Sequence, residues 1–286
     1  MKARLRSRVA VVAAVLSAAG AVLIGPAESS AAQAAGLRAY GITADGTLMA
    51  MFTTDKPQVL DWVRLVTGLS GDTALIGIDF RVQNGLMYGV GNAGGIYTIT
   101  TPPATTDVIV KKVSQLSVAL YGTTFDIDFN PAADRLRVLS DWGQNLRHNL
   151  ADGTTAEDAI LTTPPALGPT RGVTAAAYSN NDLNPDTATT LFDIATVTDQ
   201  VVVQSPANNG TLAPTGALGV DAGLNAGFDI YSDLVNGKTV SATAFATLVV
   251  GSQTSLYGVN LLTGAATPVG QFPLGITDIA VALDTD

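Results

Sequence analysis

Five aspartates recur in matching short runs of this sequence and are the residues best spaced to act together. Asp126, Asp229 and Asp278 each precede an isoleucine and read as one position of a repeat, with Asp79 and Asp128 two residues further along. Equal parity along a strand puts all five on one face. Gathered round a common axis, they offer the hard oxygen donors that calcium prefers. Two of them about 5–9 Å apart would instead make the acid and base of a hydrolase or lyase. Claimed by neither, each fixes its strand to the next by accepting backbone N–H bonds.

Other segments carry chemistry of their own. Asp182, Asn184 and Asp186 alternate like the first ligands of a calcium loop, with Asp193 eleven positions after Asp182. Thr187 stands where such a loop needs glycine for its sharp turn and Pro185 stiffens it, so an Asx-rich turn competes for the same oxygens. His148 is the only histidine, which excludes a histidine metal cluster. With Asp134 or Asp141 upstream it is a candidate lone general base, and its place in the strand motif described below predicts a surface position on the sheet. Trp142 is suited to stacking on a sugar or other flat ligand, or to packing at a corner of the fold. Gly89 to Gly94 spells a dinucleotide fingerprint, but a strand follows it where phosphate binding needs a helix N-terminus. The candidate ligand contacts are thus Asp126, Asp128, Trp142 and His148. The candidate metal ligands are Asp79, Asp126, Asp128, Asp229, Asp278, Asp182, Asn184 and Asp186. No residue is assigned a catalytic role, no cofactor is required, and calcium is the one cofactor this set admits.

A repeat sets where these residues stand. Leu48-Met49-Ala50-Met51, Ile96-Tyr97-Thr98-Ile99, Leu146-Arg147-His148-Asn149, Leu191-Phe192-Asp193-Ile194 and Leu256-Tyr257-Gly258-Val259 each follow a glycine-rich or polar turn. Their intervals of about 48, 50, 45 and 65 residues indicate repeated units, and the motif reads as the third strand of each. Strand-forming runs are bounded by Asp45-Gly46, Asn84-Gly85, Asn209-Gly210 and Asn236-Gly237, all hairpin signals. Helical periodicity is missing; residues 55–66 form at most a helical turn. The spacing predicts an all-β fold, a five-bladed β-propeller of about four strands per blade, cut at residues 37–71, 72–119, 120–170, 171–222 and 223–274. The first blade lacks an inner strand and residues 276–281 have no blade, so the C-terminal strand is expected to complete the first blade and close the ring.

Lys2, Arg4, Arg6 and Arg8 followed by an apolar run to Gly25 read as a secretory signal over residues 1–34. The propeller then occupies residues 35–286 as a single domain. Cysteine is absent, which excludes disulfides, thiol catalysis and cysteine zinc sites. The net charge of −9 disfavours nucleic acid as a partner. A secreted or wall-associated monomer is expected, free of the membrane once the signal is removed.

The segments "IGIDFRVQNGLMYGVG", "FDIDFNPAADRLRVLSDWGQNLRHN" and "TAAAYSNNDLNPDTATTLFDI" resemble the secreted bacterial family named domain of unknown function 4394, over about residues 37–283. That resemblance implies an exported, propeller-like protein and no assigned activity. The leading expectation is therefore a non-catalytic extracellular binding or scaffold protein whose partner is a carbohydrate, peptide or protein. An extracellular hydrolase or lyase using paired aspartates is the alternative, and a calcium-stabilised wall or matrix protein is a third.

Overall fold

Asn236 and Gly237 show how this chain turns. Both have positive φ, 54° and 68°, and alone they join two long strands, as a two-residue hairpin of the right twist requires. Asn209-Gly210 behaves differently, closing a short 3-10 turn at residues 207–209 within a longer connection. The computed structural model describes residues 36–285, so the expected secretory signal lies outside the described residues. Among those described there is no α-helix, and residues 60–67 form a strand.

Strands follow one another in antiparallel meanders. The first comprises β1 (Arg38–Thr43), β2 (Leu48–Thr53) and β3 (Leu60–Thr67); the second β4 (Leu75–Arg81), β5 (Leu86–Gly91), β6 (Gly95–Thr100) and β7 (Val108–Gln115). The third comprises β8 (Phe125–Asn130), β9 (Arg135–Ser140), β10 (Asn145–Asn149) and β11 (Thr154–Glu157). The fourth runs through β12 (Val173–Tyr178), β13 (Leu191–Ala195), β14 (Gln200–Gln204) and β15 (Leu212–Ala217), and the fifth through β16 (Ala226–Val235), β17 (Lys238–Val250), β18 (Gln253–Val259) and β19 (Ala266–Gln271). The last strand, β20 (Ile276–Val281), pairs antiparallel with β1, giving the first meander its fourth strand. A two-residue parallel contact of Val66 and Thr67 with Val108 and Ile109 joins the first two meanders into one eight-stranded sheet.

One repeat of the sequence motif is displaced. Leu191 to Ile194 lies on β13, the second strand of its meander, whereas the other four copies lie on the third. Val201 of β14 pairs with Gly216 as Leu256 pairs with Gly270, so Val201 is the true counterpart, about 55 residues from both Leu146 and Leu256. The irregular spacing in the sequence arose from matching the wrong strand, because any strand packed on both faces reads as the same apolar run.

Five apolar clusters hold the meanders to one another. Ile42 and Met49 pack with Ile78 and Tyr97 between the first and second, and Val90 and Ile96 with Phe129 and Leu136 between the second and third. Leu139 meets Tyr178 and Val202 at the next seam, and Ile194 meets Phe228 and Ala246 at the one after. The fifth cluster joins the last meander to the first, with Phe52 edge-on to Phe272 beside Phe245, Ile276 and Ile279.

A chain ending at Leu274 loses β20, and with it the buried side chains of Ile276, Ile279 and Val281. At about 1.5–3 kcal/mol each, their burial rivals the whole stability of a typical domain. The truncated protein should show no cooperative thermal transition; a melting temperature within a few degrees of the full chain would contradict this closure.

Candidate functional site

The innermost strand of each meander has one edge without a ladder partner, and alternate N–H groups along that edge need acceptors. Aspartates supply them. Asp79 of β4 accepts from its own neighbour Phe80 through Oδ1 at 2.6 Å and from Phe129 of β8 through Oδ2 at 2.7 Å. Asp126 of β8 accepts from Ile127 and from Ala176 of β12, both at 2.8 Å. Asp278 of β20 bridges Ile279 and Ile78 of β4, again at 2.8 Å. Asp229 of β16 bridges Ile230 and Val281 of β20. Asp128 accepts from Tyr178 through Oδ1 at 3.1 Å. Only the step from β12 to β16 departs from the pattern: there the Asn181 amide donates to the Ile230 carbonyl and its backbone N–H to Ser232 Oγ.

These bonds place the carboxylates on two levels. Asp229 takes the amide of Val281, three residues past Asp278, so it stands level with Asp79 and Asp128 rather than with Asp126 and Asp278. The sequence reading had it one level away, because Phe228-Asp229-Ile230 is locally identical to Phe125-Asp126-Ile127. At the level of Asp79, Asp128 and Asp229, three carboxylate oxygens lie within 4.8 Å of one another, all buried.

Charge cannot sit there freely. Two unit charges about 4.8 Å apart repel by roughly 3.5 kcal/mol even at an effective dielectric of about 20. Burial, and then the charge of Asp229, push Asp79 well above the usual carboxylate range. Burial followed by Asp79 and Asp229 does the same to Asp128, and burial followed by Asp278 to Asp126. Burial raises Asp229 and Asp278 to about 7. The opposing pulls come from backbone N–H groups, joined at Asp278 by the Asp126 carboxyl.

The other candidate residues stand apart from this cluster. Asp182 binds the N–H of Asn184 and both the N–H and hydroxyl of Thr239, while Asn184 accepts from Asp186 N–H, a pair of Asx turns that ties the loop to β17. Trp142 is exposed, with the Arg171 guanidinium 4.8 Å from its ring centroid. His148 is not on the surface. It is fully buried on the face of β10 that meets the second meander, 2.9 Å from Ser114 Oγ and from Thr155 Oγ1, and burial lowers its pKa. The motif misled because both faces of a meander are seams, so neither is the solvent face.

The same reason hid a second polar node. Arg137, also fully buried, donates to Asn145, Asp158, Asn208 and Tyr178 where the third and fourth meanders meet. On the facing side, Asp193 has neither oxygen hydrogen-bonded; burial raises its pKa well above normal against the pull of Arg137.

Two cavities open at opposite ends of the inner strands. One of about 70 Å³ is lined by Ile42, Leu75, Phe125, Thr277 and Asp278, at their N-terminal ends. The other, of about 520 Å³, lies at their C-terminal ends and is lined by Arg38, Tyr40, Phe80, Leu183 and Leu234 among others. Tyr40 in its wall is tilted against both Phe80 and Trp62 at ring separations of 5.8 and 6.0 Å.

The chain belongs to the family described as domain of unknown function (DUF4394), which matches residues 48–280. Among solved structures it is similar to Myxococcus xanthus glutaminyl cyclase at 10% identity and a TM-score of 0.47, covering 74% of this chain and 90% of that chain. It is also similar to a chain of a nidogen/laminin complex at 9% identity and a TM-score of 0.46, covering 88% of this chain and 100% of that one. No curated protein matches.

Asp128→Ala should cost about 1–3 kcal/mol in chemical denaturation, since it leaves the Tyr178 N–H buried without an acceptor; a change below about 0.5 kcal/mol would refute the tie. Asp193 gives a pH-dependent prediction. Its raised folded pKa means that folded and unfolded chains are equally protonated below about pH 4, whereas above it the unfolded carboxyl ionises first and stability falls. Asp193→Asn should therefore melt higher than wild type at pH 8, with the gap closing towards pH 4; parallel curves would contradict the assignment.

Proposed function

We propose that the five meanders are the blades of a closed five-bladed propeller, and that the protein is a secreted, non-catalytic binding protein. The seam between the fifth and first meanders and the pairing of β20 with β1 support the closed ring. One observation carries the binding reading. The aspartates with the spacing to act as acid and base are only 1–5% exposed, and each accepts backbone N–H bonds from an adjacent inner strand. Asp278 lines the 70 Å³ cavity, which is too small for a glycan or peptide, and the other four line neither cavity, so the hydrolase reading loses its residues.

An accessible feature is the 520 Å³ cavity, within the range of small-ligand and peptide sites. Asp182 and Asn181 in its wall are already bonded to Thr239 and Ile230. Arg38, at the rim, is exposed and forms no ion pair among the described residues, leaving its guanidinium for a ligand. The walls are mostly apolar, their carboxylates Asp182 and Asp284 already accept the N–H groups of Thr239 and Leu234, and among the described residues Arg38 is the cation in the wall without an ion pair, which favours a peptide segment bearing apolar side chains and a carboxylate over a carbohydrate, which needs many polar partners. Export rests on the leader at residues 1–34.

The test is selection from a peptide library displayed with free C-termini, run beside turnover assays on polysaccharides and peptides. Apolar peptides ending in a carboxylate should be enriched, and both Leu183→Asp and Arg38→Glu should weaken them at least about tenfold, with no turnover. Leu183 is 59% exposed, so its replacement leaves folding intact. Binding indifferent to both variants, or any substrate turned over, would overturn the reading.

A further inference from the structure

Two residues of β1 in the wall of the 520 Å³ cavity, Arg38 and Tyr40, stand two positions apart and so share a face of the strand. Tyr40 is only 7% exposed, its ring packed against Phe80 of β4 and Trp62 of β3. Its hydroxyl is less enclosed. It forms no hydrogen bond with any described residue, yet it is not sealed off as a buried orphan, so it opens on the cavity that Tyr40 lines. A phenol on so deeply packed a ring ordinarily finds a partner. Arg38 beside it forms no ion pair among the described residues. Two donors from one strand therefore lack acceptors at the same space.

We infer that the cavity reads the last residue of a peptide: an aromatic side chain with a free α-carboxylate. This rests on the peptide-binding reading and narrows it. Arg38 and the Tyr40 hydroxyl donate to the carboxylate, in charge-assisted bonds that an amidated end forfeits. Tyr40 and Phe80 supply the ring wall, tilted at 58° with their centroids 5.8 Å apart, the kind of geometry in which a further ring is attracted beyond its buried area. Tyr40 belongs to both groups, through its hydroxyl and through its ring. A carboxylate and a ring that meet the same tyrosine must be close together in the ligand, and in a C-terminal aromatic residue both branch from one Cα. The side-chain carboxylate of an aspartate or glutamate brings no ring with it. Asp182 and Asp284, in the same wall, repel further acidic side chains, so the acid end belongs at Arg38 and the preceding residues beside Leu183 and Leu234. A free aromatic amino acid offers the same carboxylate and ring but leaves that apolar space unfilled.

The experiment is calorimetric titration of the whole protein with N-acetylated tetrapeptides, three alanines and a variable last residue, and with phenylalanine alone. A phenylalanine end should bind about threefold to tenfold more tightly than a leucine end, the margin an aromatic pair adds to burial. Amidating that end should weaken binding at least about tenfold. Tyr40→Phe removes only a hydroxyl without a partner in the fold, so it should melt as wild type does. It should weaken the free acid at least about fivefold and leave the amide unchanged. Phe80→Leu keeps an apolar wall; it should abolish the preference for phenylalanine over leucine and retain that for acid over amide. Failure of every peptide to bind at about 1 mM would overturn the peptide reading and this inference with it. Peptides that bind whatever their last residue, or a Tyr40→Phe loss equal for acid and amide, would overturn this inference alone. Phenylalanine binding as tightly as the tetrapeptide would assign the site to a free aromatic acid instead.

Discussion

The structure turns on the free edge of each innermost strand. An antiparallel meander satisfies its own backbone everywhere except along its two outer edges, and the inner edge is the one that folding buries. Every second N–H there needs an acceptor where no strand can pair. Aspartate answers this well because its side chain is short and its two oxygens diverge, so one carboxylate reaches its own following amide and the matching amide of the next meander. Asp79, Asp126, Asp229 and Asp278 all do so. Apolar seams supply most of the burial, but they are non-directional; these hydrogen bonds fix the register between one meander and its neighbour.

That solution creates an electrostatic problem. Using carboxylates as acceptors crowds buried acidic groups together, and burial above all, joined by neighbouring carboxylates at Asp79, Asp126, Asp128 and Asp278, pushes all five above the usual carboxylate range. The protons that neutralise them thereby become part of the fold. Open space lies outward, at the ends of the inner strands, where the loop at Asn181 to Leu183, the β16–β17 hairpin and residues 282–285 surround the larger cavity.

Much of this was legible in the sequence. Asn-Gly and Asp-Gly pairs marked the hairpins, and a surplus strand at one end matched a missing one at the other, which is the pairing found between Ile276–Val281 and β1. The recurring aspartates pointed to the inner strands. What local pattern could not give was register between meanders, since that is a property of pairs of distant residues. Asp229 was misassigned by one level because its neighbours copy those of Asp126, and Leu191 to Ile194 was placed on the third strand because its apolar run copies the others. Burial was misread for a single reason. In a half-exposed sheet the polar members of an alternating run face water, but here both faces meet other meanders, so Arg137, His148 and Asp193 are enclosed and must find partners or go without.

The most direct test of the account is native-state hydrogen exchange at the amides of Ile78, Phe129, Ala176, Tyr178 and Val281. None of these N–H groups bonds to a strand partner, and each donates to an aspartate of the neighbouring inner strand. If the aspartate ties hold the meanders together, all five should exchange only through global unfolding, with protection equal to that of the central strands. Exchange of these amides at the rate of exposed turns, while the ladders beside them stay protected, would show that the carboxylates do not join the meanders.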